Sequence, residues 1–387
     1  MPPNFNRLYS IGILLTCVLA SVLTIPTATA AAKQQSAADK VAKPVDKATD
    51  KPTNNEQATS TAATETVIDG LNHPAGVAVH PGTQQVYVSD SGNGRIIRIN
   101  QGQAVDVVTG FPTSMLAEDF GFQAGPLGLH FMPDESLLVA EGGRDSATDR
   151  VSIFQLGDTP TTSDQPKTAY SIKPSSDAPL EGDFFSLAHT NGITYVIGRG
   201  DEKFGWVNRL SSPKDTPKRN SDSEPEMDLK RFIDTWAGVE EKRPTAIAIS
   251  PQGFVAVGFK GENDDRSVLG FFDQADGQLR AKFTLHQEGI IAVAYGPNAQ
   301  RLYALFHSDE PAAKNGLYKL VGRNRNTECE CQLIVELENP RAMAFDTSGH
   351  LFVAAGNEDG KLLKISDLDP PAAAESTESK SSSDASR

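Results

Sequence analysis

The sequence predicts an all-β fold, a six-bladed β-propeller with an N-terminal strand closing the last blade. Three observations carry this expectation: a strand-turn-strand unit that recurs along most of the chain, small residues at alternate positions of each unit's first strand, and apolar residues on both faces of each second strand. Units begin near Pro74, Pro126, Asp183, Pro244, Ile290 and Pro340, at steps of 52, 57, 61, 46 and 50 residues. Steps of this size suit blades of about four short strands each.

The clearest unit is Pro74-Ala75-Gly76-Val77-Ala78-Val79, a turn, Val86-Tyr87-Val88-Ser89-Asp90, the tight connection Ser91-Gly92-Asn93-Gly94, then Arg95-Ile96-Ile97-Arg98-Ile99. Gly76 and Ala78, Gly128, Ala246 and Ala248, Ala292 and Ala294, and Ala342 and Ala344 fall in first strands. Radial sheets crowd together at their common axis, and only small side chains fit there. Second strands such as Leu137-Leu138-Val139-Ala140 and Leu351-Phe352-Val353-Ala354 have no polar face, as a sheet covered on both sides requires. The last unit supplies three strands before the composition changes, so Thr64 to Asp69 is expected to provide the fourth and close the ring. Stretches at about 157–182 and 211–230 are rich in Ser, Asp, Pro and Lys and read as long loops of blades two and three.

Four segments follow. Residues 1–30 carry Arg7, an apolar run from Leu8 to Ile25, and Ala28-Thr29-Ala30, the order of a cleavable export signal. The alternative is an uncleaved anchor over residues 8–25. Residues 31–64 form a low-complexity spacer expected to be disordered, 65–367 the propeller, and 368–387 an acidic, Ser-rich tail. The expected location is therefore periplasmic or secreted, with no stable membrane insertion after cleavage. Loss of residues 1–30 takes the net charge from −14 to −15, which disfavours nucleic acid as a partner. Cys329 and Cys331, with one residue between them, are read as two free or simply paired surface thiols ahead of a strained bridge or a soft-metal pair.

The run from Gly70-Leu71-Asn72-His73-Pro74 to Asp90-Ser91-Gly92-Asn93-Gly94-Arg95-Ile96 resembles the NHL repeat, and the resemblance extends in weaker copies over about residues 65–367. It implies membership of a propeller superfamily that includes gluconolactonase-like, strictosidine-synthase-like and streptogramin-lyase-like proteins. In the lactonase pattern, a Glu-Gly-Pro start and Asn or Asp after the blade-opening proline hold a divalent metal. Here Ala75, Leu127, Thr245 and Arg341 stand after that proline, and only Glu288-Gly289 echoes the acidic start. No catalytic set is assigned, and no cofactor beyond a possible calcium ion at Asp264-Asp265 or Glu358-Asp359, whose spacing lacks that of a dedicated oxygen-ligand loop.

The loops joining second to third strands share one face with the connections between blades, and they are strongly polar. His73, Asp90, Asn93, Glu141, Arg144, Asp201, Glu262, Asp264, Glu288, His307, Asp309, Asn357 and Asp359 form the candidate binding rim. The competing explanation is that Asp, Asn and Gly are there to make turns, with Arg paired to neighbouring acids. The favoured expectation is a non-catalytic extracytoplasmic propeller that binds a protein or carbohydrate through an acidic rim. The alternative is a metal-dependent hydrolase or lyase with a remodelled axial site. Of the histidines, His80 and His189 are expected to cap turns on the opposite face, His130 to be packed in the core, and His73 to be the one worth testing for chemistry.

Overall fold

The computed structural model describes residues 62–115, 123–144, 148–172, 182–198, 205–211, 227–241, 243–261, 266–297, 301–310, 313–322 and 328–368. The expected export signal, most of the spacer, the tail after residue 368, and Asp201, Glu262, Asp264 and Asp265 lie outside these residues. Among the described residues no helix is long and apolar enough to cross a membrane.

Among the described residues the main strands group into six antiparallel four-stranded units. Each begins with a short inner strand: Pro74–Val79, Pro126–Phe131, Ser186–Thr190, Pro244–Ile249, Ile290–Tyr295 and Pro340–Phe345. Consecutive inner strands touch, and Pro340–Phe345 touches Pro74–Val79, so the array closes on itself as a β-propeller. The fourth strand of the last unit is Ala63–Leu71, antiparallel to Gly360–Ser366, with Thr64 opposite Ile365 and Thr66 opposite Leu363. The closing strand thus sits where the sequence places it.

Between neighbouring blades lies an apolar layer, and the period-2 geometry of a strand explains how one strand serves two layers. Leu137 and Val139 pack with Tyr87, Ile96 and Val108 of the first blade. Leu138 and Ala140 point the other way, onto Phe184, Val196 and Leu210 of the third. All four are fully buried. Burial of a Leu or Val side chain is worth about 1.5–3 kcal/mol, so the blade interfaces hold the ring together. At the axis the fit is set by backbone: a Cβ on Gly76 would lie 1.9 Å from the Leu127 carbonyl oxygen, which accounts for glycine there.

Three expectations need correction. The stretch after 157 is not simply loop, because Thr168–Tyr170 pairs with Val151–Phe154 as the outer strand of the second blade, and Thr161–Thr162 adds parallel to the outer edge of the first. Likewise Asp228–Asp234 is the outer strand of the third blade. Polar composition hid these strands because outer strands face solvent on one side and need little apolar surface. The fourth and fifth blades are fused by a short parallel pairing, Thr284 with Glu328 and Leu285 with Cys329, which extends them into one eight-stranded sheet. Cys329 and Cys331 are free but are not the surface thiols expected, since the strand that carries them is covered: Cys329 is buried and Cys331 half-buried, and burial pushes their thiols up to about 11 and about 12, so both stay protonated at neutral pH.

Candidate functional site

The inner strands enclose an axial channel of about 590 Å³. Its wall is mostly small or apolar, from Gly76, Ala78 and Gly128 through Ala248, Ala292, Ala294, Ala342 and Ala344, with Phe131, Tyr295 and Phe345 at the end remote from the loop rim. At the rim end Arg341, Asp183 and Thr245 line it. Inner strands of six residues make such a channel about 20 Å long.

Arg341 follows the blade-opening Pro340 and is half-buried at the mouth. Its Nη2 donates to Asn357 Oδ1 at 2.8 Å, and the backbone carbonyl of Asn357 accepts the His73 N–H at 2.7 Å. One loop residue therefore holds both the guanidinium and the start of the first blade. His73 has φ 48°, in the left-handed region, as do Asp183 (46°) and Asn339 (44°), each just before an inner strand opens. Such backbone costs about 1 kcal/mol for a non-glycine residue and concentrates at functional sites. In the fifth blade the same place is taken by Gly289 at φ 69°, where a Cβ would lie 1.8 Å from the His307 carbonyl oxygen. The Gly289 carbonyl in turn accepts the His307 N–H at 2.8 Å, which fixes His307 at the rim.

The charge of Arg341 acts on both imidazoles. Burial lowers the pKa of His73, and the Arg341 charge lowers it further, against a smaller opposing effect of Glu358. Burial also lowers that of His307, with Arg341 and Lys260 acting the same way and Asp309 opposing. The Nδ1 atoms of both rings are buried without a hydrogen-bond partner. Asp309, at 3.5 Å from His307 Nε2, is itself 94 % exposed.

The other predicted rim residues do different work. Asp90 is fully buried, and its Oδ1 accepts the Asn72 N–H at 2.7 Å while its Oδ2 accepts from Arg95 Nε at 2.8 Å and Asn93 Nδ2 at 2.9 Å. Glu141, also fully buried, accepts from Arg144 Nε at 2.9 Å, Arg150 Nε at 3.1 Å and the Ser152 hydroxyl. Glu288 accepts from the Ser308 hydroxyl at 2.9 Å. These acids fasten loops, as the turn-and-pairing explanation expects. Glu358 and Asp359 are exposed. Asp149, not singled out from sequence, accepts the backbone N–H groups of Arg144 and Asp183 at 3.0 and 2.8 Å; burial, reinforced by Asp183 and Glu141, raises it to about 6.

At the far end His80 Nδ1 accepts the N–H groups of Gly82 and Thr83 at 3.1 Å, the turn cap expected of it. His130 is largely buried, as a packed inner-strand residue should be, and also borders the channel with its ring 6.0 Å from that of His189; burial followed by the neighbouring His189 lowers it to about 4.

Arg341, absent from the candidate rim, is a cation at the mouth where other blades carry Ala, Leu and Thr after the proline. A guanidinium at the mouth does not suit a divalent metal there, and among the described residues no three His, Cys, Asp or Glu side chains assemble as a ligand group.

The fold is that of a β-propeller, and the NHL repeat family matches residues 71–99. No curated protein matches the chain in sequence. Among solved structures, a gluconolactonase from Xanthomonas campestris is 13 % identical with a TM-score of 0.51, over 79 % of this chain and 90 % of that one. The soluble aldose sugar dehydrogenase from Escherichia coli is 16 % identical with a TM-score of 0.53, over 79 % and 100 %. A glucose dehydrogenase is 19 % identical with a TM-score of 0.55, over 78 % and 98 %. At these identities the likeness is one of fold.

Proposed function

We propose that the protein is an enzyme of the hydrolase or lyase class acting on a small molecule at the mouth of the axial channel. The observation that carries this is the pair His73 and His307 beside Arg341. Burial and the adjacent cation keep both imidazoles neutral at neutral pH, so each can take a proton, while Arg341 supplies a fixed positive charge for a substrate carbonyl or anion. His73 and His307 are both half-buried at the rim, and neutral bases beside a positive centre are the arrangement that proton abstraction or acyl-group attack requires. The structural neighbours named as sugar-acting enzymes add support by fold analogy alone. The described residues do not suit the divalent metal implied by the lactonase resemblance.

Binding of a protein or carbohydrate through an acidic rim has weaker support, since Asp90 and Glu141 are spent on internal ion pairs. The apolar run ahead of Ala28-Thr29-Ala30 supports an exported location for this chemistry. The test is turnover of a panel of lactones, esters and aldose-derived anions by wild type and by His73→Ala, His307→Ala and Arg341→Ala. Loss of at least a hundredfold in kcat/KM in one histidine variant and in Arg341→Ala is expected. Turnover unchanged in all three would sink the proposal.

A further inference from the structure

We propose that the axial channel takes an elongated carboxylate with an apolar chain, its head group at Arg341 and its chain lying between the inner strands towards Tyr295 and Phe345. This names a ligand class for the mouth described above, and rests on that site but not on its being catalytic.

Three observations converge. First, the space is a channel and not a dish: one continuous void of about 590 Å³ is bordered by residues from both ends of the inner strands, from Arg341 and Thr245 at the rim to Tyr295 and Phe345 at the far end. Ligand sites of this volume are common, and bury most of what they hold. Secondly, between those ends the wall is apolar and the histidines His130 and His189 are held uncharged, so the shaft offers methylene-compatible surface and no charge to pair. A polar body such as a sugar would leave its hydroxyls unpaired there, at a cost in affinity.

Thirdly, the mouth is polarised. Arg341 lines the mouth from the last blade; its charge lowers the His307 pKa, Asp309 opposes it, and Lys260 adds a smaller effect in the same direction as Arg341. Asp183 lines the mouth from the third blade, which stands opposite the last in the ring order. An anionic head is therefore drawn to the Arg341 side and repelled from the other, which fixes its place. A local positive focus in a chain of net charge −14 is not the by-product of a basic protein.

The experiment is calorimetric titration of the full chain with dodecanoate, hexanoate, dodecan-1-ol and dodecyltrimethylammonium, each below its micelle concentration. Dodecanoate is expected to bind tightest, with affinity rising about threefold to fourfold per added methylene from hexanoate. The alcohol and the cation are expected to bind at least tenfold more weakly. Arg341→Gln lowers dodecanoate to the level of the alcohol and leaves the alcohol unchanged. Ala344→Phe, which fills the shaft away from the mouth, removes the dependence on chain length while hexanoate still binds. Should Arg341→Gln fail to fold, the ligand series and Ala344→Phe decide alone. Equal binding of acid and alcohol, tighter binding of the cation, or chain-length dependence that survives Ala344→Phe would overturn the proposal. Binding without turnover of any ester or lactone leaves it standing and counts against catalysis. Turnover of a compact polar substrate with no uptake of dodecanoate does the reverse.

Discussion

Asn357 Oδ1 lies 2.8 Å from Arg341 Nη2, so a loop side chain of the last blade aims the cation at the channel mouth. A hydrogen bond to a charged donor is worth about 1.5–3 kcal/mol. Asn357→Ala should weaken binding of an anionic ligand about tenfold or more while keeping the His73–Asn357 backbone bond and a near wild-type melting curve. Ligand titration beside thermal unfolding separates the two effects.

Asp90 is a fastening point, not a ligand site. Its buried carboxylate satisfies Asn72, Asn93 and Arg95 together, and removing one partner of a buried ion pair costs about 3–5 kcal/mol. Asp90→Ala should lower the unfolding free energy measured by urea titration by that amount, whereas Asp359→Ala, at an exposed loop position, should stay within about 0.5 kcal/mol of wild type.

Gly76→Ala should prevent folding or cost about 4 kcal/mol or more, because the new methyl would meet backbone, 1.9 Å from the Leu127 oxygen, and cannot be relieved by a rotamer change. Gly322→Ala has nothing within 4 Å of its Cβ and should express and melt as wild type. Soluble yield and circular dichroism of the two variants suffice.

Acid should destabilise the ring through His130. Its folded pKa, about 4, lies below the unfolded 6.5, so the unfolded chain takes up the proton first and stability falls as the pH drops from about 6.5 to about 4. The full effect is of order 3 kcal/mol. Asp149, raised to about 6, acts with the opposite sign between about 6 and 4 and offsets part of it. Melting temperatures across that range for wild type and His130→Gln should differ in slope, with the variant the flatter; parallel curves would refute the assignment.

Much of the fold could be read from the chain because its signals are local: alternation in Leu137-Leu138-Val139-Ala140, small residues at Gly76 and Ala78, and a missing last strand made good by Thr64 to Asp69. The outer strands Thr168–Tyr170 and Asp228–Asp234 escaped because their pairing, not their composition, makes them strands. The site was harder for a related reason. Asp90 and Arg95 are close in sequence and their pairing was anticipated, but Arg341, His73 and His307 meet only once blades one, five and six are brought round the axis. No spacing rule joins residues that far apart.

Deleting residues 64–70 removes the strand opposite Gly360–Ser366, and aggregation or loss of a cooperative melt is expected; a normal transition in that truncation would refute the closure. The same pairing bears on the order of assembly. Ala63–Leu71 is synthesised ahead of every other strand of the ring, yet its partner is made last. Until then it is an orphan edge, and the slowest step of folding should be a long-range search, with the loop-closure entropy of nearly the whole domain set against one strand's worth of hydrogen bonds. A partner supplied early, as a free peptide matching residues 360–366, would compete for that edge and trap the open ring.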